Sequence, residues 1–350
     1  MPVDNSDSLE TVKDKFEQLI TVSKLLDFIK SRDKVAVKMH FGEEGNTGYV
    51  RPEYLRVVCD EIAAKKVTCF ISDTNTLYRG KRMNSKDHLK LAHEHGFTKD
   101  ICGVEVLIPD ERKKQNCSEV KINSRFVKIA KVIRLFLEAD AIIGVAHFKG
   151  HMMTGFGGAL KNIGMGCATR EGKLAQHSDI SPLVVIRKCI GCKECLKVCP
   201  VSAILMHNNT AHIERAKCIG CASCIAACRQ NAIDVDWESG GSNIQEKMIE
   251  YASVILNSKK DKAAFFNFVI KVTRECDCLA KDDPRIVPDI GILASPDPVS
   301  VDKASLDLVK EAAGKDIFKE VHPSRDGMKQ LNYAHKIGLG NLEYELIEIG

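Results

Sequence analysis

Cys189-Ile190-Gly191-Cys192-Lys193-Glu194-Cys195-Leu196-Lys197-Val198-Cys199-Pro200 is repeated 29 residues later as Cys218-Ile219-Gly220-Cys221-Ala222-Ser223-Cys224-Ile225-Ala226-Ala227-Cys228-Arg229. Each run is C-x2-C-x2-C-x3-C, the spacing by which bacterial ferredoxins hold cubane 4Fe-4S clusters. A cysteine at every third position of a tight loop supplies three inward-pointing thiolates to one cube. The fourth cannot curl back and ligates the neighbouring cube. The expected sets are therefore Cys189, Cys192, Cys195 and Cys228 for one cluster, and Cys218, Cys221, Cys224 and Cys199 for the other. The repeat extends past cysteine, pairing Ile190 with Ile219, Gly191 with Gly220, Ala203 with Ala232 and Ile204 with Ile233. Arg229 stands where the first cassette has Pro200. Proline there turns the chain and holds no iron. Structural zinc normally separates its C-x2-C pairs by a longer loop, and a disulfide scaffold suits a short secreted chain. Neither matches this spacing.

Outward from the cassettes the pattern changes. Before them, apolar positions with helical period over 9–30 (Leu9, Val12, Phe16, Leu19, Ile20) precede a strand at Lys34–Phe41. A helix follows from Pro52 to about Lys66, then a strand at Val67–Asp73, a helix near Ser85–Gly96 and a strand at Val104–Pro109. The continuous apolar strand Ala139–Phe148 leads into a glycine-rich segment, Gly150–Gly166. Short strands flank the cassettes at Val184–Arg187, Ile204–His207, Ala211–Glu214 and Ala232–Asp236. Beyond them come a helix at Asn243–Asn257 and strands at Ala263–Thr273 and Ile290–Ala294. Helices at Val299–Ala313 and Arg325–Ile337 and a last strand at Tyr344–Ile349 complete the chain. Alternating strands and helices predict an α/β fold with an open, largely parallel sheet. Because neither flank has a linker of its own, the expected organisation is one α/β domain (1–182 and 238–350) interrupted by a small α+β two-cluster ferredoxin domain (183–237).

Composition agrees with this. The chain has 350 residues, 44% of them hydrophobic. No apolar run reaches the ~20 residues of a membrane helix. The polar, acidic opening Met1-Pro2-Val3-Asp4-Asn5-Ser6-Asp7 does not read as a signal peptide. Fifteen cysteines imply metal chemistry in a reducing cytoplasm, and oxygen-sensitive clusters imply an anaerobic setting. The formal charge of +4 counts thiols as neutral. Eight thiolates and two oxidised cores of +2 each change it by about −4, leaving the loaded protein near neutrality. Without a long basic run or aromatic-basic interleaving, nothing points to nucleic acid.

A second set of reactive side chains lies just past strand ends, where open α/β sheets bind ligands. It comprises His40, Asp73, His147, Lys149, His151, Lys161, Asn162, Cys167, Lys173 and His177, then Cys276-Asp277-Cys278 and Ser295-Pro296-Asp297-Pro298. Of these, His40, Asp73, His147, Lys149, His151 and Lys161 are the candidate catalytic residues. Cys167, Cys276 and Cys278 could form a further metal site, or be ordinary thiols. Gly155-Phe156-Gly157 has Leu160 where a dinucleotide fingerprint needs glycine, and Gly166 to Gly172-Lys173-Leu174 fails the P-loop spacing.

Lys38-Met39-His40-Phe41-Gly42-Glu43, His147-Phe148-Lys149-Gly150-His151, Gly158-Ala159-Leu160-Lys161-Asn162 and Ser295-Pro296-Asp297-Pro298-Val299 resemble the domain-of-unknown-function 362 family. Its members often carry a two-cluster ferredoxin module. The resemblance implies an iron-sulfur redox protein of anaerobes on an open α/β sheet, and says little about substrate. The expected function is transfer of low-potential electrons to a redox partner protein. One alternative is a reductase acting on a small molecule beside His147, Lys149, His151 and Lys161; a non-catalytic assembly module is another.

Overall fold

The computed structural model describes residues 1–78, 80–177, 182–218, 222–234 and 243–350. The N-terminal half supplies α1 (Leu9–Ser23), β1 (Lys34–Lys38), α2 (Pro52–Ala63), β2 (Thr68–Ser72), α3 (Ser85–Glu94) and β3 (Glu105–Leu107). β4 (Ala141–His147), α4 (Ala159–Gly164) and α5 (Arg170–His177) follow. After the cassettes come α6 (Ile244–Asn257), β5 (Ala263–Val269), β6 (Gly291–Ser295), α7 (Pro298–Ala313) and α8 (Met328–Lys336).

The strands form a six-stranded sheet in the order β6-β5-β4-β1-β2-β3. All neighbours are parallel except β5 and β6. The fold is thus α/β with a largely parallel sheet. β4 is apolar on both faces because both are covered. Val35, Val37, Ala141, Ile143 and Phe266 meet α1 and α2 on one face, while Ala36, Ile142 and Phe265 meet α4, α6 and α7 on the other. No helix among the described residues is long and apolar enough to cross a membrane.

Several element ends differ from the sequence expectation. α1 stops at Ser23 because Lys24 turns left-handed (φ 52°), and Lys271 (φ 50°) bends the chain soon after β5 ends. Val184–Arg187 is a two-residue strand, Leu183–Val184, followed by a 3-10 turn. Of the expected strand Ala232–Asp236, only Ile233–Asp234 is a strand, and 235–236 lie outside the described residues. The hairpin of Cys117–Lys121 with Ile129–Ile133 is not evident from the sequence pattern. Tyr344–Ile349 is not a strand. The β6 edge is taken by the N-terminus: Ile292 N–H donates to Met1 O at 2.9 Å, and Val3 N–H donates to Ile290 O at 3.1 Å.

The chain from Leu183 to Asp234 forms two small antiparallel sheets and a separate apolar cluster. That cluster also takes in Leu77 and Leu174 from the α/β part, which is where the two parts meet.

Candidate functional site

β1 and β4 lie side by side, but the chain leaves β1 toward β2 and leaves β4 toward β5. Open α/β sheets bind ligands at such a reversal, beyond the C-terminal strand ends. A cavity of about 420 Å³ sits there, lined by His40, Asp73, His147, Lys149, His151, Lys161, Asn162, Lys173, His177, Cys276 and Cys278 among others. Met152, half exposed at 53%, lies at its rim.

Each wall is braced. Lys38 Nζ donates to Asp73 Oδ1 (2.9 Å), Asn162 Oδ1 (3.0 Å) and Met39 O (2.7 Å). Burial would raise the Asp73 carboxyl, but Lys38, His88, Lys173 and Arg82 hold it down to about 2. Asp277 accepts from His147 Nδ1 at 2.9 Å and pairs with Lys149 Nζ at 3.1 Å. Burial would raise its carboxyl, but the neighbouring His147 and Lys149 keep it well below the usual range. Lys173 Nζ donates to Thr74 Oγ1 at 2.6 Å, and burial lowers it to about 8. Burial, reinforced by nearby cations, keeps His40, His151 and His177 neutral, His177 at about 3.

The glycine-rich turn after β4 lets α4 approach. A Cβ on Gly158 would meet Asp302 Oδ1 at 2.2 Å. Asp302, from α7, instead accepts the N–H groups of Ala159 (2.7 Å) and Leu160 (3.0 Å), fixing the start of α4 and hence Lys161 and Asn162.

Sequence reasoning missed Tyr78 and Arg82. Arg82 is buried, donating to Glu43 Oε2 (3.2 Å), His40 Nε2 (2.8 Å) and Tyr78 OH (2.6 Å). The signal available was an aromatic and basic loop directly after Asp73-Thr74-Asn75. Of the expected set, Cys167 and Ser295-Pro296-Asp297-Pro298 do not line the cavity, and Asp277 only braces its wall. Cys167 lies in the core among Ile163, Ala168 and Met248, its thiol pushed up to about 12 by burial. Asp297 caps α7 through Val299 N and Ser300 N, with Pro298 in the first turn. Cys276 and Cys278 are joined instead by His151, the three offering ligating atoms within 4.8 Å of one another.

The cassette cysteines gather in two places. Cys189, Cys192, Cys195 and Cys228 line one small cavity, and Cys199, Cys218 and Cys224 line another. Cys221 lies outside the described residues. Backbone N–H groups point at the sulfurs: Ala203 to Cys199 Sγ (3.2 Å), Ala232 to Cys228 Sγ (3.2 Å) and Ala211 to Cys189 Sγ (3.4 Å). The first two are equivalent positions of the repeat. Lys193 and Ala222 are another equivalent pair, both left-handed (φ 63° and 59°). Arg170, at the start of α5, donates to Ala222 O at 3.0 Å. The second cysteine group therefore adjoins the helix that carries Lys173 and His177 to the cavity. The first group is the outer one, with Cys192 exposed beside Ile190 (61% exposed).

The fold is thus an α/β one with a cation-rich cavity at a sheet reversal, beside two groups of cysteines. The chain belongs to the family described as Domain of unknown function (DUF362), whose model matches residues 35–307. No curated protein matches it. Among solved structures it is similar to the lactate racemase apoprotein from Thermoanaerobacterium thermosaccharolyticum, with 15% identity and a TM-score of 0.44, over 85% of this chain and 55% of that one. A protein from Thermotoga maritima gives 14% identity and 0.45, over 91% and 60%. The chain thus spans less than two thirds of either structure's length.

Proposed function

We propose that the chain is an iron-sulfur redox enzyme: two 4Fe-4S clusters in the cassettes supply electrons to an anionic small molecule bound in the 420 Å³ cavity. The observation that carries the cluster reading is the crossed grouping of the thiols: Cys189, Cys192 and Cys195 with Cys228, and Cys218 and Cys224 with Cys199. That arrangement is what two neighbouring cubes require. The backbone N–H groups aimed at Cys189, Cys199 and Cys228 are the kind of donor that surrounds cluster-ligating sulfurs. A plain electron carrier needs no deep cavity, and this one adjoins the module through Leu77, which lines the cavity and packs in the module core. Lys38, Arg82, Lys149, Lys161 and Lys173 outnumber Asp73, Asp277 and Glu43 around it, which favours a carboxylate or phosphate ligand.

Anaerobically prepared protein should hold about eight irons and eight sulfides per chain, by the four-cysteine rule, and give the EPR of two interacting clusters on reduction. Four irons, or stoichiometric zinc, would refute this. To separate enzyme from carrier, Lys149→Ala should leave cluster spectra and dithionite reduction intact. Turnover of the native acceptor should fall by ~10²–10⁴, the usual range for a positioned acid or base. Unchanged turnover would leave electron carriage as the function.

A further inference from the structure

We propose that Cys276 and Cys278 form a redox-active dithiol that reduces an anionic disulfide bound in the cavity. The proposal rests on the cluster reading only for its electron supply.

The geometry comes first. Both sulfurs and one nitrogen of His151 lie within 4.8 Å of one another on the cavity wall. Lys161 Nζ approaches Cys276 Sγ at 3.9 Å and has no carboxylate partner among the described residues. Lys149, held by Asp277, stands on the same wall. The Cys278 thiol donates toward Cys276, and with Lys161 and Lys149 nearby the Cys276 thiol is pushed well below its ordinary value, while Cys278 is pushed up. The two thiols are thus shifted in opposite directions. This is the division of labour in a dithiol that attacks and then resolves.

The same trio has the soft donors of a zinc or iron site, but the His151 ring argues against one. Its Nδ1 accepts the backbone N–H groups of Met153 (3.1 Å) and Thr154 (3.2 Å). A neutral ring so held carries its proton on Nε2 and has no bare nitrogen left for a metal.

The chemistry balances. The Cys276 thiolate attacks one sulfur of the substrate, forming a mixed disulfide and expelling a thiolate. Cys278 loses its proton to solvent and attacks Cys276 Sγ, expelling the second thiolate and closing the Cys276–Cys278 bond. Two electrons, which clusters held by the cassette cysteines would supply, and one proton from solvent would then restore thiolate and thiol. The net change is a disulfide plus two electrons giving two thiolates. The cation excess around the cavity favours carboxylate-bearing disulfides and stabilises the leaving thiolates.

Dithiodiglycolate, a small dicarboxylate disulfide, is the probe. Holoprotein treated anaerobically should release about two thioglycolates per chain and acquire a Cys276–Cys278 disulfide in peptide mass analysis. Cys278→Ser should stop at about one, with the mixed disulfide trapped on Cys276. Cys276→Ser should slow release at least ~10-fold, as removal of the attacking thiolate demands. Equal rates in wild type and Cys276→Ser would overturn the proposal. So would stoichiometric zinc or extra iron that Cys276→Ser loses, since that would make the trio a metal site. Iron analysis of the same sample separates the two readings. Exchange without clusters sinks only the electron supply, and clusters without exchange sink the dithiol.

Discussion

Asp302 shows how much of this site hangs on a single side chain outside it. Its carboxylate accepts from Ala159 N, Leu160 N and Asn267 Nδ2, all buried. Asp302→Ala would orphan these donors, and an unmade buried bond to a charged group costs about 1–3 kcal/mol. Chemical denaturation should show that loss, and the shift of α4 should displace Lys161 and Asn162. Asp302→Asn, which keeps only one acceptor oxygen, should cost less. If both variants are as stable as wild type, the cap does not hold α4 in place. No periodicity singles out Asp302, because it sits in an amphipathic helix far along the chain from the glycines it supports.

At the scale of elements, the two cassettes are near copies in backbone as well as sequence: Ser202 and Asn231 share the left-handed turn (φ 50° and 48°), as Lys193 and Ala222 do. The crossed grouping makes a sharp expectation. Cys199→Ala should damage the cluster site formed with Cys218 and Cys224, and leave that of Cys189 more intact; paramagnetic NMR would tell them apart. Loss confined to the Cys189 site would contradict it. The outer face of the first cassette also carries exposed Arg187, Lys188, Lys193 and Lys197, around Ile186 (69% exposed) and Ile190. The acid beside them, Glu194, pairs with Lys197. An acidic electron donor would be steered to this face. Reversing Lys188 and Lys193 to Glu should slow its reduction of the protein about 10-fold at low salt and flatten the salt dependence. A rate insensitive to both changes would place electron entry elsewhere.

For the whole molecule, buried neutral histidines set the acid limit. Burial, aided by Arg82, Lys173 and Lys38 against the opposing pull of Asp73, lowers His88 to about 3, and His177 is also at about 3, against an ordinary 6.5. Between those values the unfolded chain binds more protons than the folded one, so stability rises with pH and is lost as pH falls below 6.5. From about pH 7.5 to about 5.5 each histidine should remove about 1.4 kcal/mol. Native-state hydrogen exchange at the β4 amides should report the drop, and His88→Gln should lessen it by one histidine's share. Protection that stays level over that range would contradict this account. Asp73, held at about 2, adds a further loss only below about pH 4.

The sequence alone determined the period-2 and apolar runs that became β1, β2, β4, β5 and β6, because covering helices leave such strands one way to bury themselves. It also marked the eight cassette cysteines as one repeated pattern, because ligand spacing is a local property of the loop. It placed His40, Asp73, His147, Lys149, His151 and Lys161 at strand ends, and in a parallel sheet those ends converge. Only the tertiary structure decided what depends on distant approach. Cys167 and Cys276 both follow glycine-rich or strand-end segments, yet one faces the core and the other the cavity. Arg82 enters from a loop without periodicity. Tyr344–Ile349 has a strand's composition, yet it is residues 1–3 that take the β6 edge. Hydrogen-bonding capacity at a sheet edge is finite, and which segment occupies it is a contest between distant parts of the chain that no local pattern records.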